Sequence, residues 1–376
     1  MPASGERDFS RVKRLVVKVG SSSLIHPTGR PNLAQMESLV RQLADLHNQG
    51  RDVLLVTSGA IGVGFHRLGF ARRPRSLPEK QAAAAVGQGM LVHMYEKFFA
   101  EYGVTVGQVL LTREDFADRR RFLNARNTLY ALLRLGAVPV INENDTVAVE
   151  EIKLGDNDNL AALVAGLIDA DLLILLSDID GLYDADPRRC PGARLIDQVH
   201  DITPEIENLA GGAGSGVGTG GMATKLQAAR IAMHSGMATV LARAGEKDVV
   251  RRVLAGERLG TVFWPQHRLE NKKRWIAYSA CVHGRVHVDE GAARALLKLG
   301  KSLLPSGVTR VEGDFEMGNT VSVIDPRGVE IARGIVNYAA AEVDRIRGRR
   351  TDEIARILGH KDYDEVIHRN NLVLDV

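Results

Sequence analysis

The chain breaks repeatedly from a short apolar run into a cluster of small polar residues, and no other feature restricts its fold as much. VKRLVVKV (12–19) leads into Gly20 and the serines Ser21, Ser22 and Ser23. DVLLVT (52–57) ends at Ser58-Gly59, AVPVIN (137–142) runs into Glu143, Asn144 and Asp145, and DLLILLS (171–177) stops at Asp178. GVTVGQVLLT (103–112) and ATVLA (238–242) are further runs of this kind. Such runs suit buried strands. Helical patterns fill the intervals. From about Asn32, the residues Leu33, Met36, Val40, Leu43 and Leu46 share one helical face, and Gly50 supplies the stop. Further helices are expected over about 79–100 and 120–135, from GDNDNL to about Ile168, and over 222–235.

Apolar strands alternating with helices predict an α/β fold, a mainly parallel sheet with helices on both faces. Ligands in such folds sit beyond the carboxyl ends of the strands. This chain puts its polar clusters there. The pattern changes at WPQHRLENKKRW (264–275), after which GRVHVD and NTVSVID read as short strands. With 376 residues there is chain enough for two domains. The expected division is an α/β domain over 1–264, a linker over 265–276 and a small β-rich domain over 277–376.

Composition narrows the function classes. The formal net charge of +3 is too small to imply nucleic acid by itself. Cys190 and Cys281 are far apart and sit in no metal-ligand pattern, which fits a reducing cytoplasm. The opening MPASGERDFSRVKR has no apolar core of a signal peptide, and no apolar run reaches the roughly 18 residues of a membrane span.

The chemistry concentrates in a few stretches. AGGAGSGVGTGGMATK (210–225) is rich in glycine and opens a helix, an arrangement that suits an anion. Lys225 falls on the first turn of that helix, where the macrodipole disfavours a cation unless an anion is bound. A flexible surface loop is the plain alternative. The stretch is not a GxxxxGK[ST] loop. Lys18 lies inside an apolar strand, and a buried lysine is costly unless paired. It either snorkels to solvent or stands among phosphates at the strand end. Ser58 lacks the GxSxG context and an evident histidine partner, so hydrogen bonding to a substrate carboxylate is the better reading than a nucleophile. Gly155-Asp156-Asn157-Asp158-Asn159 carries more carboxylates and amides than one helix cap needs. Together with Asn142, Glu143, Asn144 and Asp145 it suits an α-amino group. Ser177-Asp178 is a weaker signal for a nucleotide base or ribose.

In order, KVGSSSL, VTSGAIGVG, VGQVLLT, FLNARNT, VPVINENDTVA, EIKLGDNDNLAALVA, LLSDIDGLYDADPR and GTGGMATKLQAA resemble the glutamate-phosphorylating branch of the amino acid kinase family. RVHVDEGAARALLKLGKSLLPSGVTRVEGDFEMGNTVSV and RGIVNY are similar to the PUA domain that ends such chains. The resemblance implies an αβα sandwich, the amino acid kinase fold, that moves a phosphoryl group from ATP to the γ-carboxylate of L-glutamate. That is the first step of proline synthesis. It places Ser58, Asp145 and Asn157 at glutamate. It places Ser177, Asp178, Thr219, Gly220, Gly221, Met222, Ala223, Thr224 and Lys225 at ATP. Lys18 and Lys225 fall on the two phosphate-contacting lysines, and Asp158 on the acid that organises them. Ser177 stands where threonine is frequent, which keeps the hydroxyl. Gly20 and Gly59 are expected to offer backbone N–H groups. Mg²⁺ is expected to ride on the nucleotide, with no protein metal cluster. Proline inhibition, a homo-oligomer and handover of the product to glutamyl phosphate reductase are implied in the same way.

Two other readings stay open. One keeps the fold and changes the acceptor to acetylglutamate, aspartate, carbamate or a nucleoside monophosphate; the Asn-Glu-Asn-Asp cluster favours a free α-amino group. The other is RNA binding through the tail. KKR (272–274) and RIRGRR (345–350) are basic, but Asp289, Glu290, Glu312, Asp314 and Glu316 nearly balance them, which argues against RNA.

Overall fold

The computed structural model describes residues 7–26, 28–70, 72, 74–148, 157–187, 189–210, 221–265 and 275–374. The chain divides into two compact units, Met1–Asp115 with Arg120–Arg268, and Phe116–Arg119 with Leu269–Val376.

The first unit is built on a sheet of β1 (Arg14–Val19), β2 (Asp52–Val56), β3 (Thr105–Leu111), β4 (Ala137–Glu143), β5 (Leu172–Ser177), β6 (Gln198–Val199), β7 (Ala238–Arg243) and β8 (Thr261–Phe263). Its order is β3-β4-β2-β1-β5-β7-β8-β6. All neighbours are parallel except β7 and β8. The order runs outward from β1 in both directions: β2 and β4 lie on one side, β5 and β7 on the other. A crevice therefore opens at the carboxyl ends of β1 and β5, the switch point where such sheets take ligands.

Strand alternation decides what enters that crevice. Leu15, Val17 and Val19 of β1 join the core formed with the helices α1 (Leu33–Asn48) and α3 (Leu77–Ala100). Period two turns Val16 and Lys18 to the opposite face. That face carries α4 (Asn157–Leu167) and α5 (Met222–His234), which pack against each other. Lys18 thus points at two helix starts rather than at solvent.

The expected strands and helices are present with end shifts of a residue or two. Asn32 caps α1 instead of beginning it, its Oδ1 accepting from the Gln35 N–H at 3.2 Å. The helix expected over about 79–100 runs from Leu77, with the box Ser76/Glu79 at its start, and α2 (Ala60–Arg67) follows the turn at Ser58-Gly59. The short strands β6 and β8 were not expected; at two and three residues they are too short for a periodic signal.

Glycines allow α2 and α3 to touch backbone to backbone. A Cβ on Gly64 would lie 1.8 Å from the Ala83 carbonyl, and one on Gly87 would lie 1.8 Å from the Ala60 carbonyl. At Gly59 the constraint is different: φ is +101° and α2 starts on the next residue. This crossing fixes α3 over the end of β2.

The second unit holds β9 (Val282–Val288), β10 (Val308–Gly313), β11 (Thr320–Ile324), β12 (Glu330–Ile335) and β13 (Leu372–Leu374) in the order β10-β9-β11-β12-β13. β9 and β11 are parallel, the other pairs antiparallel. Val286, Leu296, Val321, Val323, Tyr338 and Val343 lie in its own apolar core.

Gly64→Val and Gly87→Val are each expected to destabilise the first unit by at least about 1–3 kcal/mol, the scale of overpacking. Denaturant unfolding measures this, and an unchanged midpoint contradicts the close crossing.

Candidate active site

Asp158 is fully buried in the first turn of α4, and two ammonium groups meet it. Lys18 Nζ is 2.6 Å from Oδ1, and Lys225 Nζ is 3.0 Å from Oδ2. Lys18 is 3% exposed and Lys225 6%. The Thr224 hydroxyl lies 3.2 Å from Oδ2 and 2.8 Å from the Gly221 carbonyl, two acceptors for its one proton, and so ties the start of α5 to Asp158. Asn159 Nδ2 donates to Gln227 Oε1 at 3.1 Å and locks α4 to α5 one turn further on.

Burial alone would push the Asp158 carboxyl up. The ammonium groups of Lys18 and Lys225 outweigh burial and hold it below the ordinary carboxylate range. A Lys18 tip reaching water is ruled out by its burial and its pairing. Two like charges do not gather in a low-dielectric interior without an anion between them.

A second polar cluster lies beside the first. Asn157 Nδ2 shares its hydrogens among the Thr57 carbonyl at 2.6 Å, Asn142 Oδ1 at 2.8 Å and Ser58 Oγ at 2.9 Å. The ends of β2 and β4 and the start of α4 are so joined, and Asn142 and Asn157, one from each acid-amide cluster of the sequence, meet here. Asn142 Nδ2 in turn donates to Gln88 Oε1 at 2.7 Å. Thr57 Oγ1 lies 2.8 Å from the hydroxyl of Tyr95, a fully buried phenol whose pKa burial raises. Gln88 and Tyr95 are seven residues apart on the buried face of α3. Sequence reading missed both, because they occur inside an apolar helical stripe. The only signal was a glutamine on that stripe.

The other expected residues fall as follows. Ser177 is buried at the end of β5, and its hydroxyl donates to Asp178 Oδ1 at 3.1 Å, while Asp178 is exposed. Asp145 is half-buried in the turn after β4. Gly221, Met222 and Ala223 form the start of α5. Thr219, Gly220, Gly155 and Asp156 lie outside the described residues. One expectation is corrected: the Gly20 N–H donates to the Leu176 carbonyl at 3.3 Å, so it serves the junction of β1 and β5 rather than a ligand. Among the described residues no group of three or more His, Cys, Asp or Glu is arranged to hold a metal ion.

Lysines at a strand end and a helix start, held by one buried acid at a sheet switch point, give this α/β fold a buried cationic cluster at the place where such sheets take ligands. Residues 13–243 match the amino acid kinase family and residues 284–358 the PUA domain. The chain is 60% identical over 367 residues to the glutamate 5-kinase of Moorella thermoacetica, covering 97% of each chain. It is 58% identical over 367 residues to the glutamate 5-kinase of Carboxydothermus hydrogenoformans, covering 97% of this chain and 98% of that one. The chain belongs to the amino acid kinase family and, within it, to the glutamate 5-kinase group.

Because the Asp158 pKa is depressed by folding, its contribution to stability is present above the unfolded carboxyl value of about 3.9 and is lost as pH falls through the lower folded value. Asp158→Asn is expected to cost about 3–5 kcal/mol at pH 7, as for a broken buried pair. The gap from wild type should narrow below about pH 4. Urea unfolding at pH 7 and pH 3.5 tests this, and a gap independent of pH contradicts it.

Proposed function

We propose that this protein phosphorylates the γ-carboxylate of L-glutamate with ATP, giving L-glutamyl 5-phosphate. The observation that carries the reading is the meeting of Lys18 and Lys225 on the one buried carboxylate of Asp158. The names of its relatives support glutamate as the acceptor.

The chemistry asks for little beyond placement. A γ-carboxylate with a reference pKa of about 4.3 is ionised at neutral pH, so the nucleophile needs no general base. The difficulty is to bring an anion against a polyanion. Alignment and charge stabilisation carry such a reaction. Lys225 and Lys18 stabilise the transferring phosphoryl and the leaving phosphate, and Asp158 keeps both ammonium groups on station. Ser58, Asn157 and Asp145 hold glutamate, the last through its α-amino group. Ser177, Asp178 and the segment Thr219–Lys225 hold the nucleotide. A Mg²⁺ would be held mainly by the nucleotide rather than by this chain, and would supply charge neutralisation there. The division into a kinase domain over 1–264 and a PUA domain over 277–376 belongs to the same reading. So do a place in proline synthesis, inhibition by proline, a homo-oligomer in the cytoplasm and handover to a reductase. No helix among the described residues is long and apolar enough to cross a membrane.

RNA binding through the second unit has less support. Arg285 and Arg310 pair with Glu312, Arg333 with Glu330, Arg347 with Asp344 and Arg350 with Asp352. Those pairings leave less positive charge facing outward than the sequence suggests.

The test is ATP-dependent hydroxamate formation with hydroxylamine and Mg²⁺. Product is expected with L-glutamate, less with proline present, and none with aspartate or N-acetylglutamate. Product from another acceptor at a higher rate overturns the substrate assignment. Lys225→Ala is expected to lower kcat by ~10²-fold or more, the scale of one electrostatic element. Near-normal kcat in that variant overturns its role.

A further inference from the structure

The amide cluster beside the lysines has a fixed hydrogen-bond polarity, and it leaves one donor over. The Thr57 carbonyl can only accept, so Asn157 must turn Nδ2 towards it. The Glu143 backbone N–H can only donate, and it does so to Asn142 Oδ1 at 2.9 Å. Both constraints agree on the bond from Asn157 Nδ2 to Asn142 Oδ1. Asn142 is therefore left with Nδ2 facing Gln88, and Gln88 must answer with Oε1. The amide orientations are set by backbone groups of known role rather than by choice of flip. Gln88 Nε2 then points away from Asn142. It is buried, with no hydrogen-bond partner among the described residues, on a residue that is 8% exposed.

A buried amide donor without a partner costs about 1–3 kcal/mol. Reversing Gln88 does not relieve this, because Nε2 would then face the Asn142 amide nitrogen. The cost falls when an oxygen arrives. We propose that Gln88 is a specificity-determining residue of the acceptor site, its Nε2 donating a hydrogen bond to a carboxylate oxygen of the amino-acid substrate. The inference rests on the reading that the cluster of Ser58, Asn142 and Asn157 takes the acceptor. It adds a residue from α3 to a site otherwise built from strand ends and α4. The helix crossing at Gly64 and Gly87 sets the height of Gln88 over that cluster. A site with such a donor favours an acceptor that brings an oxygen to this point.

Gln88→Glu separates the two jobs of the side chain. A carboxylate still accepts from Asn142 Nδ2, but it has no donor for the substrate and repels a substrate carboxylate. The KM for glutamate is expected to rise about tenfold or more, on the scale of a hydrogen bond to a charged group. The KM for ATP should stay within about twofold in the folded variant. An unchanged glutamate KM in the folded variant overturns the proposal. A crystal structure of the wild-type protein with L-glutamate covers the case of a variant that does not fold. There, a glutamate oxygen about 3 Å from Nε2 is expected, and a water or no ligand atom at that point overturns it. Should the wild type not phosphorylate glutamate, the proposed function fails first. The variant is then compared on the acceptor the wild type does use, and an unchanged KM for that acceptor overturns the role of Gln88.

Discussion

One buried carboxylate holds two lysines that would otherwise repel each other. Lys18 comes from the middle strand of the sheet, Lys225 from the start of a helix more than two hundred residues later, and Asp158 from a helix between them in sequence. Each is placed by backbone rules that have nothing to do with catalysis. Strand alternation turns Lys18 away from Val17 and Val19. The parallel pairing of β1 with β5 sets the crevice at their carboxyl ends. A lysine in the first turn of α5 opposes the macrodipole, and the Asp158 carboxylate offsets that conflict within the fold.

The cluster proposed to take the acceptor depends on a different device. Where the lysine cluster uses charge, this one uses amides whose orientation is dictated by the Thr57 carbonyl and the Glu143 N–H. Helix α3 supplies the outer wall. Its glycine contact with α2 brings Gln88 and Tyr95 down onto Asn142 and Thr57. Because α2 begins directly after Ser58-Gly59, one crossing positions a strand-end serine and a helix-borne glutamine together.

Much of this was legible in sequence. The apolar runs at 12–19 and 171–177 became β1 and β5 with ends within two residues. Lys18 stood out because a lysine in a buried strand needs a partner, and Asp158 because its segment held more acids than a cap requires. What escaped has physical reasons. Gln88 and Tyr95 lie on an alanine-rich helical face whose periodicity reads as core whether or not it carries polar groups. Their meaning depends on the groups opposite them across the sheet end, which local sequence does not encode. Gly20 was misjudged because a glycine after a strand serves equally to extend a ladder or to approach a ligand, and here it bonds to Leu176. The short strands β6 and β8 are fixed by neighbours rather than by pattern.

The central claim is that Asp158 acts by holding both ammonium groups for phosphoryl transfer. The direct measurement is the single-turnover rate of Asp158→Asn at saturating ATP and L-glutamate, with nucleotide affinity measured on the same protein. The account predicts a folded variant that binds ATP and transfers its phosphoryl group slower by ~10²-fold or more. A variant that binds ATP and turns over at the wild-type rate would contradict it.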